Sequence, residues 1–408
     1  MSTQKPFLYF DNAATTPLRP EALQAMMPYL TGQYGNPSAI YSFARTARKA
    51  VEEAREQVAG IISAQPGEIV FCASGTEANN WAIRGMTVGR SDAVGRSDAA
   101  GWSGAAGKSG ASKHIITQVT EHHATTHVCE ALEKKGIQVT YLPVDAEGFV
   151  SPEDLRAAIR PDTSLISIMW ANNEIGTIQP IAELAAIARE NGIPFHTDAV
   201  QAVGHLPINM DEMPVDLLTM SAHKFGGPKG VGALYIRKGT KLAPFLYGGA
   251  QEKNRRAGTE NVAGIVGMGM AASLAASGLE TEFKRLTEMR DTLIKRIKDT
   301  IPNVSLNGPR GPKRLPGNVN FSFDYIEGES LLLLLDMNGC CASSGSACSS
   351  ASLEPSHVVM ALGAPHEKAH GSIRFSLGRE SAYEDINGLM AILPKLVEQL
   401  REMSPLVE

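Results

Sequence analysis

The sequence has no pair of cysteines in C-x-x-C spacing, and its five cysteines are an odd number. This argues against a disulfide framework or a structural zinc knuckle, so we expect free thiols and a reducing compartment, the cytoplasm. A basic excess is also lacking, because the formal net charge is −5. That balance gives no electrostatic reason to expect a nucleic-acid partner. The first residues lack a charged region followed by an apolar one, so we expect no secretory signal.

One uncharged run, residues 261–279, approaches membrane-spanning length. It is built from Gly, Ala, Ser and Met rather than from Leu, Ile and Phe, which is not typical of a membrane span. Small residues allow helices to approach each other closely. We therefore expect a long helix buried between two domains, and no membrane segment.

Strand-like and helix-like patterns alternate between about residues 23 and 190. Residues 41–62 carry apolar side chains at helical spacing, and helices are also predicted at 125–135 and 181–191. Short apolar runs at 114–118, 138–142 and 165–170 predict strands. This alternation predicts an α/β domain with a mostly parallel sheet covered by helices on both faces. In such sheets ligands bind at the carboxyl ends of the strands, so the turns after the strands are the places to look for chemistry.

After about residue 265 the pattern changes to that of a smaller α+β domain, with its elements predicted at residues 280–300 (helix), 318–323 (strand), 329–336 (helix), 373–376 (strand) and 382–402 (helix). We place the large domain at residues 20–264 and the small domain at 1–19 and 265–408. Residues 89–112 are rich in Gly, Ala and Ser and contain a near-repeat, which predicts a flexible surface insertion. A regulatory or partner role for this insertion stays open.

The segments that follow three predicted strands contain the groups that bind pyridoxal 5'-phosphate: a phosphate-binding turn, a carboxylate and a lysine. Gly75 and Thr76 lie in a turn that runs into a helix, where backbone N–H groups and a hydroxyl can receive a phosphate. Alone, this turn also fits an ordinary helix cap. Asp198 ends an apolar run, and Lys224 follows 26 residues later in a Gly/Pro-rich loop. A lysine forms the Schiff base, and a carboxylate keeps the pyridine nitrogen protonated.

His122 directly follows another predicted strand, where an imidazole could lie against the cofactor ring. A metal site is the alternative, because His123 and His127 are four residues apart on a predicted helix. The H-E-x-x-H arrangement and a third ligand are both missing, so we expect no metal.

Several motifs together resemble the cysteine desulfurases, a branch of the class V aminotransferase-like pyridoxal-phosphate enzymes of fold type I. They lie at residues 9–17 (YFDNAATTP), 35–38 (GNPS), 74–80 (SGTEANN), 172–176 (NNEIG), 221–230 (SAHKFGGPKG), 256–259 (RAGT) and 372–379 (SIRFSLGR). The match runs from about residue 9 to 380, and its main departure is the insertion at 89–112.

The resemblance implies roles for residues around the cofactor ring. Lys224 is then the Schiff-base lysine, Asp198 pairs with the pyridine nitrogen, and His122 stacks on the ring. Gln201 meets the phenolic oxygen, and Asn173 lines the same side.

The resemblance also implies the phosphate and substrate contacts. The phosphate ligands are then Gly75, Thr76, Ser221, His223 and, from the other subunit, Thr259. A shared site of this kind implies a homodimer. Arg374 binds the substrate carboxylate, with Asn36 and Asn173 beside it, and a planar guanidinium suits a carboxylate through two charge-assisted hydrogen bonds.

The sulfur chemistry depends on Cys348. Residues 343–352 are small and Ser-rich, which predicts a mobile loop that lets a thiol move between cofactor and acceptor. The Cys348 thiolate would attack the substrate sulfur, leaving alanine and a persulfide. Only about 3% of an unperturbed thiol is ionised at neutral pH, so we expect activation, with His122 a candidate base. The long loop resembles group I desulfurases, which pass sulfur to iron–sulfur scaffold proteins.

Other cysteines and other functions remain to be weighed. The adjacent Cys340 and Cys341 allow a redox interpretation, but a buried position is the commoner one, and Cys72 and Cys129 fit a core. An aminotransferase or a selenocysteine lyase on the same fold, or a non-catalytic binding protein, are the alternatives. The sequence leaves open whether the acceptor is an iron–sulfur scaffold, a nitrogenase-dedicated one or a tRNA-thiolation relay.

Overall fold

The computed structural model describes residues 7–92, 114–344 and 354–404, and of residues 88–92 it describes the backbone alone. Cys348 and most of the predicted insertion at 89–112 lie outside the described residues. The strands are Leu8–Tyr9 (β1), Ile69–Cys72 (β2), His114–Gln118 (β3), Gln138–Leu142 (β4), Thr163–Ser167 (β5), Phe195–Asp198 (β6), Leu217–Ser221 (β7), Gly232–Ile236 (β8), Val304–Leu306 (β9), Asn318–Phe323 (β10), Cys340–Cys341 (β11) and Ser372–Ser376 (β12).

The helices are Pro20–Leu30 (α1), Ser42–Gly60 (α2), Gly75–Asp92 (α3), His123–Glu133 (α4), Pro152–Ala158 (α5), Ile181–Glu190 (α6), Gln251–Asn254 (α7), Val262–Thr300 (α8), Gly328–Met337 (α9), His357–Ala361 (α10), His366–His370 (α11) and Tyr383–Glu402 (α12). Within α7, Glu252 and Lys253 have left-handed backbone angles, so this element is a tight turn rather than a regular helix.

A seven-stranded sheet forms the centre of the molecule, with the strand order β2-β8-β7-β6-β5-β3-β4. β8 runs antiparallel to both of its neighbours, and every other pair is parallel. All residues of β5, β6 and β7 are buried. These strands are covered on both faces, so buried and exposed positions do not alternate along them. The mostly parallel sheet predicted from the sequence is confirmed.

The helix α8 is 39 residues long and connects two hydrophobic cores. Its first half contributes Ile265 and Met268 to the core under the large sheet, and its second half contributes Leu293 and Ile297 to a second core. A Cβ on Gly269 would lie 2.7 Å from the Cα of Ala54 in α2. The small residues therefore bring α8 against its neighbours, as expected for the uncharged run.

By length and composition alone, α8 is the one helix of the described residues that could cross a membrane. Half of its most apolar window is buried inside the protein. Burial of this extent also occurs in core helices, and the close packing at Gly269 supports the core interpretation.

A smaller unit packs around the second core. β12, β10 and β9 form an antiparallel sheet in that order, and β1 pairs in parallel with β11. Phe10 lies in this core, so the start of the described chain belongs to the smaller unit. The predicted division between residues 264 and 265 stays a prediction, and the buried contacts of α8 change from one core to the other between Ala275 and Leu286.

Two predicted boundaries differ from the observed ones. The strand predicted at 165–170 ends at Ser167, after which the Trp170 amide donates to the carbonyl of Asp198. The helix predicted to begin at 125 begins at His123, because the side chain of His122 accepts from the Ala124 amide and caps it.

Candidate active site

The carboxyl ends of four strands bring the predicted site residues to one edge of the large sheet. β6 ends at Asp198, β7 ends at Ser221, and Lys224 follows in a short helical turn. β2 runs in the same direction as β7, because both are antiparallel to β8, and it leads into Gly75 at the start of α3. His122 follows β3. Ligands of open α/β sheets bind at this edge.

A segment from the N-terminal part of the chain crosses this edge. The Nζ of Lys224 donates to the carbonyl oxygens of Ala13 (2.6 Å) and Ala14 (2.8 Å). The Nε2 of Gln201 donates to the same Ala13 oxygen at 2.9 Å. The amine is therefore held in a fixed place between the large sheet and the N-terminal segment.

Asp198 is buried and both of its oxygens receive hydrogen bonds. The Nδ2 of Asn79 donates to one oxygen at 2.6 Å, and the amide of Val200 donates to the other at 3.0 Å. Such donors stabilise a negative charge. A buried carboxylate held in this way suits a partner that carries a proton on a ring nitrogen.

His122 is held by its position at the start of α4. Its Nδ1 accepts from the Ala124 amide at 3.0 Å. Burial is the main cause that lowers its pKa, partly opposed by the charge of Asp198. The neutral ring therefore carries its proton on Nε2. To act as a base, as predicted from the sequence, His122 would have to lose the hydrogen bond that its Nδ1 accepts from the Ala124 amide. Its role as a base stays a prediction.

A cradle for an anion lies where α3 begins. A Cβ on Gly75 would lie 2.9 Å from the Cγ2 of Val200 and 3.4 Å from the Cβ of Ser221. A side chain at this position would therefore narrow the cradle, whereas glycine leaves it open. The first turn of α3 presents backbone N–H groups that can donate to an anion, although that of Glu77 already donates to the Oγ of Ser74 at 3.1 Å. His223 lies nearby on the same loop as Lys224, and its Nδ1 is 3.1 Å from the Oγ1 of Thr15.

Burial and the charges of Lys224 and Lys229 lower the pKa of His223 to about 4. The ring is thus neutral, and with Nδ1 facing a hydroxyl it can donate from Nε2. Thr76 and His122 also border a groove of about 730 Å³ between α3 and α4, which neither Asp198 nor Lys224 lines. These donors, with Asp198 and Lys224, fit the phosphate, ring nitrogen and carbonyl carbon of pyridoxal phosphate.

Arg374 approaches the site from β12 of the smaller unit. Its side chain is 3% exposed, and its NH2 group pairs with the Oδ1 of Asp11 at 2.8 Å. Its NH1 group donates to the carbonyl oxygen of Asn173 at 3.1 Å. The backbone of Arg374 pairs with Ser343, five residues before Cys348 in the sequence. A guanidinium is therefore fixed at the boundary of the two units.

Two predicted residues lie apart from this constellation. Asn36 is exposed in the loop between α1 and α2, and its Oδ1 accepts from the Ser38 amide at 2.9 Å. Thr259 is exposed on the surface of its own chain. Nearby, Arg256 forms an ion pair with Glu77 in the first turn of α3 at 2.9 Å. The roles predicted for Asn36 and Thr259 stay predictions.

Sequence reasoning missed two residues that contact the site. Asn79 follows Thr76 by three residues on α3, so helical spacing could have placed it on the same side as the cradle. Asp11 lies within the YFDNAATTP motif, but nothing in its local sequence indicates a contact with Arg374, 363 residues away.

Three histidine rings lie close together near the end of β3. The ring centroids of His123 and His127 are 4.7 Å apart, and those of His123 and His357 are 5.0 Å apart. Within the part of the chain that the structure describes, no group of three or more His, Cys, Asp or Glu residues could hold a metal ion.

Comparisons with known proteins place this geometry among related chains. The family model of class-V aminotransferases matches residues 8–389. The cysteine desulfurase IscS of Dictyoglomus turgidum is 56% identical over 398 residues, covering 98% of this chain and 96% of that protein. The cysteine desulfurase IscS of Methanosarcina thermophila is 53% identical over 406 residues, covering 100% and 96%. A solved NifS-like protein has a TM-score of 0.83 at 33% identity, covering 97% of this chain and 99% of that one.

Proposed function

This chain belongs to the class-V aminotransferase family and is a cysteine desulfurase that depends on pyridoxal phosphate, and on that premise we propose that Lys224, Arg374 and Cys348 carry its reaction. L-Cysteine loses its sulfur, L-alanine is released, and a persulfide remains on Cys348. The sulfur then passes to an acceptor protein.

The spacing of Lys224 and Arg374 is the observation that carries this assignment. The Nζ of Lys224 binds the carbonyls of Ala13 and Ala14, and the guanidinium of Arg374 binds Asp11. Two or three residues of chain span at most about 7–11 Å. The segment 11–14 therefore brings the lysine and the guanidinium to the same site, as the binding of an α-amino acid by its amino and carboxylate groups requires.

Each residue has a defined task in this proposal. Bound pyridoxal phosphate supplies an electron sink for the substrate's α-carbon. Asp198 holds a proton at the ring nitrogen, and the Nζ of Lys224 takes the α-proton and returns it. Arg374 binds the substrate carboxylate through two charge-assisted hydrogen bonds. The Nε2–H of the neutral His122 ring donates a hydrogen bond to the bound substrate.

The sulfur transfer itself balances without an outside oxidant. The thiolate of Cys348 attacks the substrate Sγ, an S–S bond forms, and the Sγ–Cβ bond breaks. The electron pair stays on Cβ, which takes up a proton and becomes the methyl group of alanine. A thiol of the acceptor can then attack the outer sulfur of the persulfide.

The acceptor is proposed to be an iron–sulfur scaffold protein, and the compartment the cytoplasm. The long Ser-rich segment around Cys348 and the similarity to IscS proteins support the acceptor. The unpaired cysteines Cys72, Cys129, Cys340 and Cys341 support a reducing compartment.

A homodimer with shared sites is also proposed. Thr259 is exposed on its own chain, where it could reach a second copy, and large apolar side chains lie exposed at Tyr34 (77%), Ile40 (93%) and Tyr247 (84%). Apolar side chains of this size favour burial against a partner. Mixing Lys224→Ala chains with Thr259→Ala chains tests this, because a shared site would restore one intact site per dimer. Activity no higher than the sum of the two variants would contradict it.

Mass spectrometry after exposure to L-cysteine tests the sulfur transfer. We expect one added sulfur on the peptide that contains Cys348, with alanine and, in the presence of a thiol reductant, sulfide in solution. Cys348→Ala should abolish both, whereas Cys341→Ala is the matched control and should retain them. Sulfide formation that survives Cys348→Ala would reject this nucleophile, and transfer of the amino group to a 2-oxo acid would favour an aminotransferase.

A further inference from the structure

Arg374 already has a carboxylate partner before any substrate binds. A guanidinium has five N–H donors. Asp11 receives one from NH2 at 2.8 Å, and the Asn173 carbonyl receives one from NH1 at 3.1 Å. Nε is buried without a partner among the described residues. One N–H therefore remains on each terminal nitrogen, and such a pair can bind both oxygens of a second carboxylate.

The carboxylate of Asp11 is not needed to hold its own backbone. The Asp11 backbone bridges to Ser376, and the Tyr9 hydroxyl donates to the Asp11 carbonyl at 3.2 Å. The side chain of Asn12 and the amide of Ala13 each bind Ser376 at 2.9 Å. The chain path is thus fixed on both sides, and the side-chain contact of Asp11 within the described residues is with Arg374.

We propose that Asp11 sets the affinity of Arg374 for the substrate carboxylate. The inference rests on the proposed function in taking Arg374 as the carboxylate site. Two carboxylates on one guanidinium repel each other, and this pair is poorly screened because Arg374 is 3% and Asp11 21% exposed. Asp11 therefore weakens the binding of a carboxylate to Arg374 while it fixes the position of the guanidinium.

The consequence for turnover follows from the chemistry of substrate and product. L-Cysteine and L-alanine carry the same carboxylate, so Arg374 binds both. Tight binding that substrate and product share slows release and does not speed the chemical step. An internal carboxylate that weakens this contact keeps the site open for the next molecule.

Asp11→Asn tests the inference, because asparagine keeps an oxygen for Arg374 and removes the charge. The probe is 3-mercaptopropionate, which has the carboxylate and thiol of cysteine but no amine to react with the cofactor. Calorimetry on the holoenzyme should show a dissociation constant about tenfold lower than in the wild type, or about 1.4 kcal/mol. The KM for L-cysteine should fall in parallel. If Asp11 had only a structural role, Asp11→Asn would raise both the dissociation constant of the probe and the KM for L-cysteine.

Three controls make the result specific. 2-Mercaptoethanol lacks the carboxylate, and its binding should not change. Glu367→Gln on the exposed surface of α11 changes the net charge equally and should leave the probe's affinity unchanged. Asp11→Ser also removes the charge and keeps a hydroxyl, so it serves if Asp11→Asn does not fold.

An unchanged or weaker affinity for 3-mercaptopropionate in both Asp11 variants overturns the inference. Arg374→Ala should weaken the binding of 3-mercaptopropionate. If this variant binds the probe as tightly as the wild type, Arg374 is not the carboxylate site. Binding needs no turnover, so the inference can be separated from the proposed function. A protein that releases no sulfide, yet binds the probe more tightly as Asp11→Asn, would reject the desulfurase assignment and support the role of Asp11.

Discussion

Loss of the buried ion pair between Arg55 and Glu252 should destabilise the protein strongly. The two side chains are 7% and 4% exposed, and two hydrogen bonds of 2.7 and 2.8 Å join them. Glu252 also accepts from the Phe71 amide at 3.0 Å. Glu252→Gln would leave the buried guanidinium without this countercharge, and breaking such a pair costs about 3–5 kcal/mol.

Backbone strain reduces this cost. Glu252, Lys253 and Asn254 have φ angles of 46°, 57° and 64°, and a left-handed conformation costs roughly 1–2 kcal/mol per residue outside glycine. If the turn relaxes in the variant, part of this strain is released. We therefore expect a net loss of about 3 kcal/mol for Glu252→Gln, the lower end of the range for a buried pair.

Glu52→Gln is the matched control, because Glu52 binds the same arginine but is 53% exposed. An exposed pair contributes about 0–1 kcal/mol. Urea unfolding of both variants, followed by circular dichroism, measures the two costs. Lys253→Gly should stabilise the protein by about 1 kcal/mol, since glycine adopts this φ without strain. Equal costs for the two glutamate variants would refute the reasoning, and so would a destabilising Lys253→Gly.

Three further predictions concern pH, the phosphate cradle and the substrate site. Burial lowers the pKa of His196 to about 3, so the unfolded chain takes up a proton below about pH 6.5, and stability should fall by up to ~1.4 kcal/mol per pH unit until the pH reaches the folded value. Urea midpoints between pH 8 and 5 check this, and His196→Gln should flatten the fall. Gly75→Ala should speed the loss of pyridoxal phosphate, measured by absorbance, because its Cβ would meet Val200 at 2.9 Å. Gly60→Ala is the control and should not speed the loss, because no atom lies within 4 Å of its Cβ. Equal loss of the cofactor from both variants would contradict the role of Gly75 in phosphate binding. Arg374→Ala should raise the KM for L-cysteine at least about 30-fold, since truncating one partner of a buried charge pair costs about 2–5 kcal/mol. A KM within a few fold of the wild type would argue against this site.

The sequence predicted the elements well where local physics decides them. The helix expected at 41–62 is observed at Ser42–Gly60, and the strands at 114–118 and 138–142 are observed at those residues. Apolar spacing on a helix and short apolar runs in a sheet are properties of neighbouring residues. Boundaries such as the end of β5 were less accurate, because they depend on contacts with other parts of the chain.

The candidate site was predictable only in part. Asp198 and Lys224 follow strands of a parallel sheet, and the carboxyl ends of such strands meet at one edge, so the sequence could place them together. The contacts that hold these side chains were not predictable. Asn79 reaches Asp198 across 119 residues, and Asp11 reaches Arg374 across 363.

The sequence by itself determined the types of chemical groups, the alternation of strands and helices, and the turns in which Lys224, Asp198 and Gly75 stand. These follow from side-chain chemistry and from the spacing of neighbouring residues. Only the tertiary structure decided that Arg374 has Asp11 as its countercharge and that Asn79 donates to Asp198. Both depend on which distant backbone or side-chain groups share a buried space, where an unpaired polar group is costly.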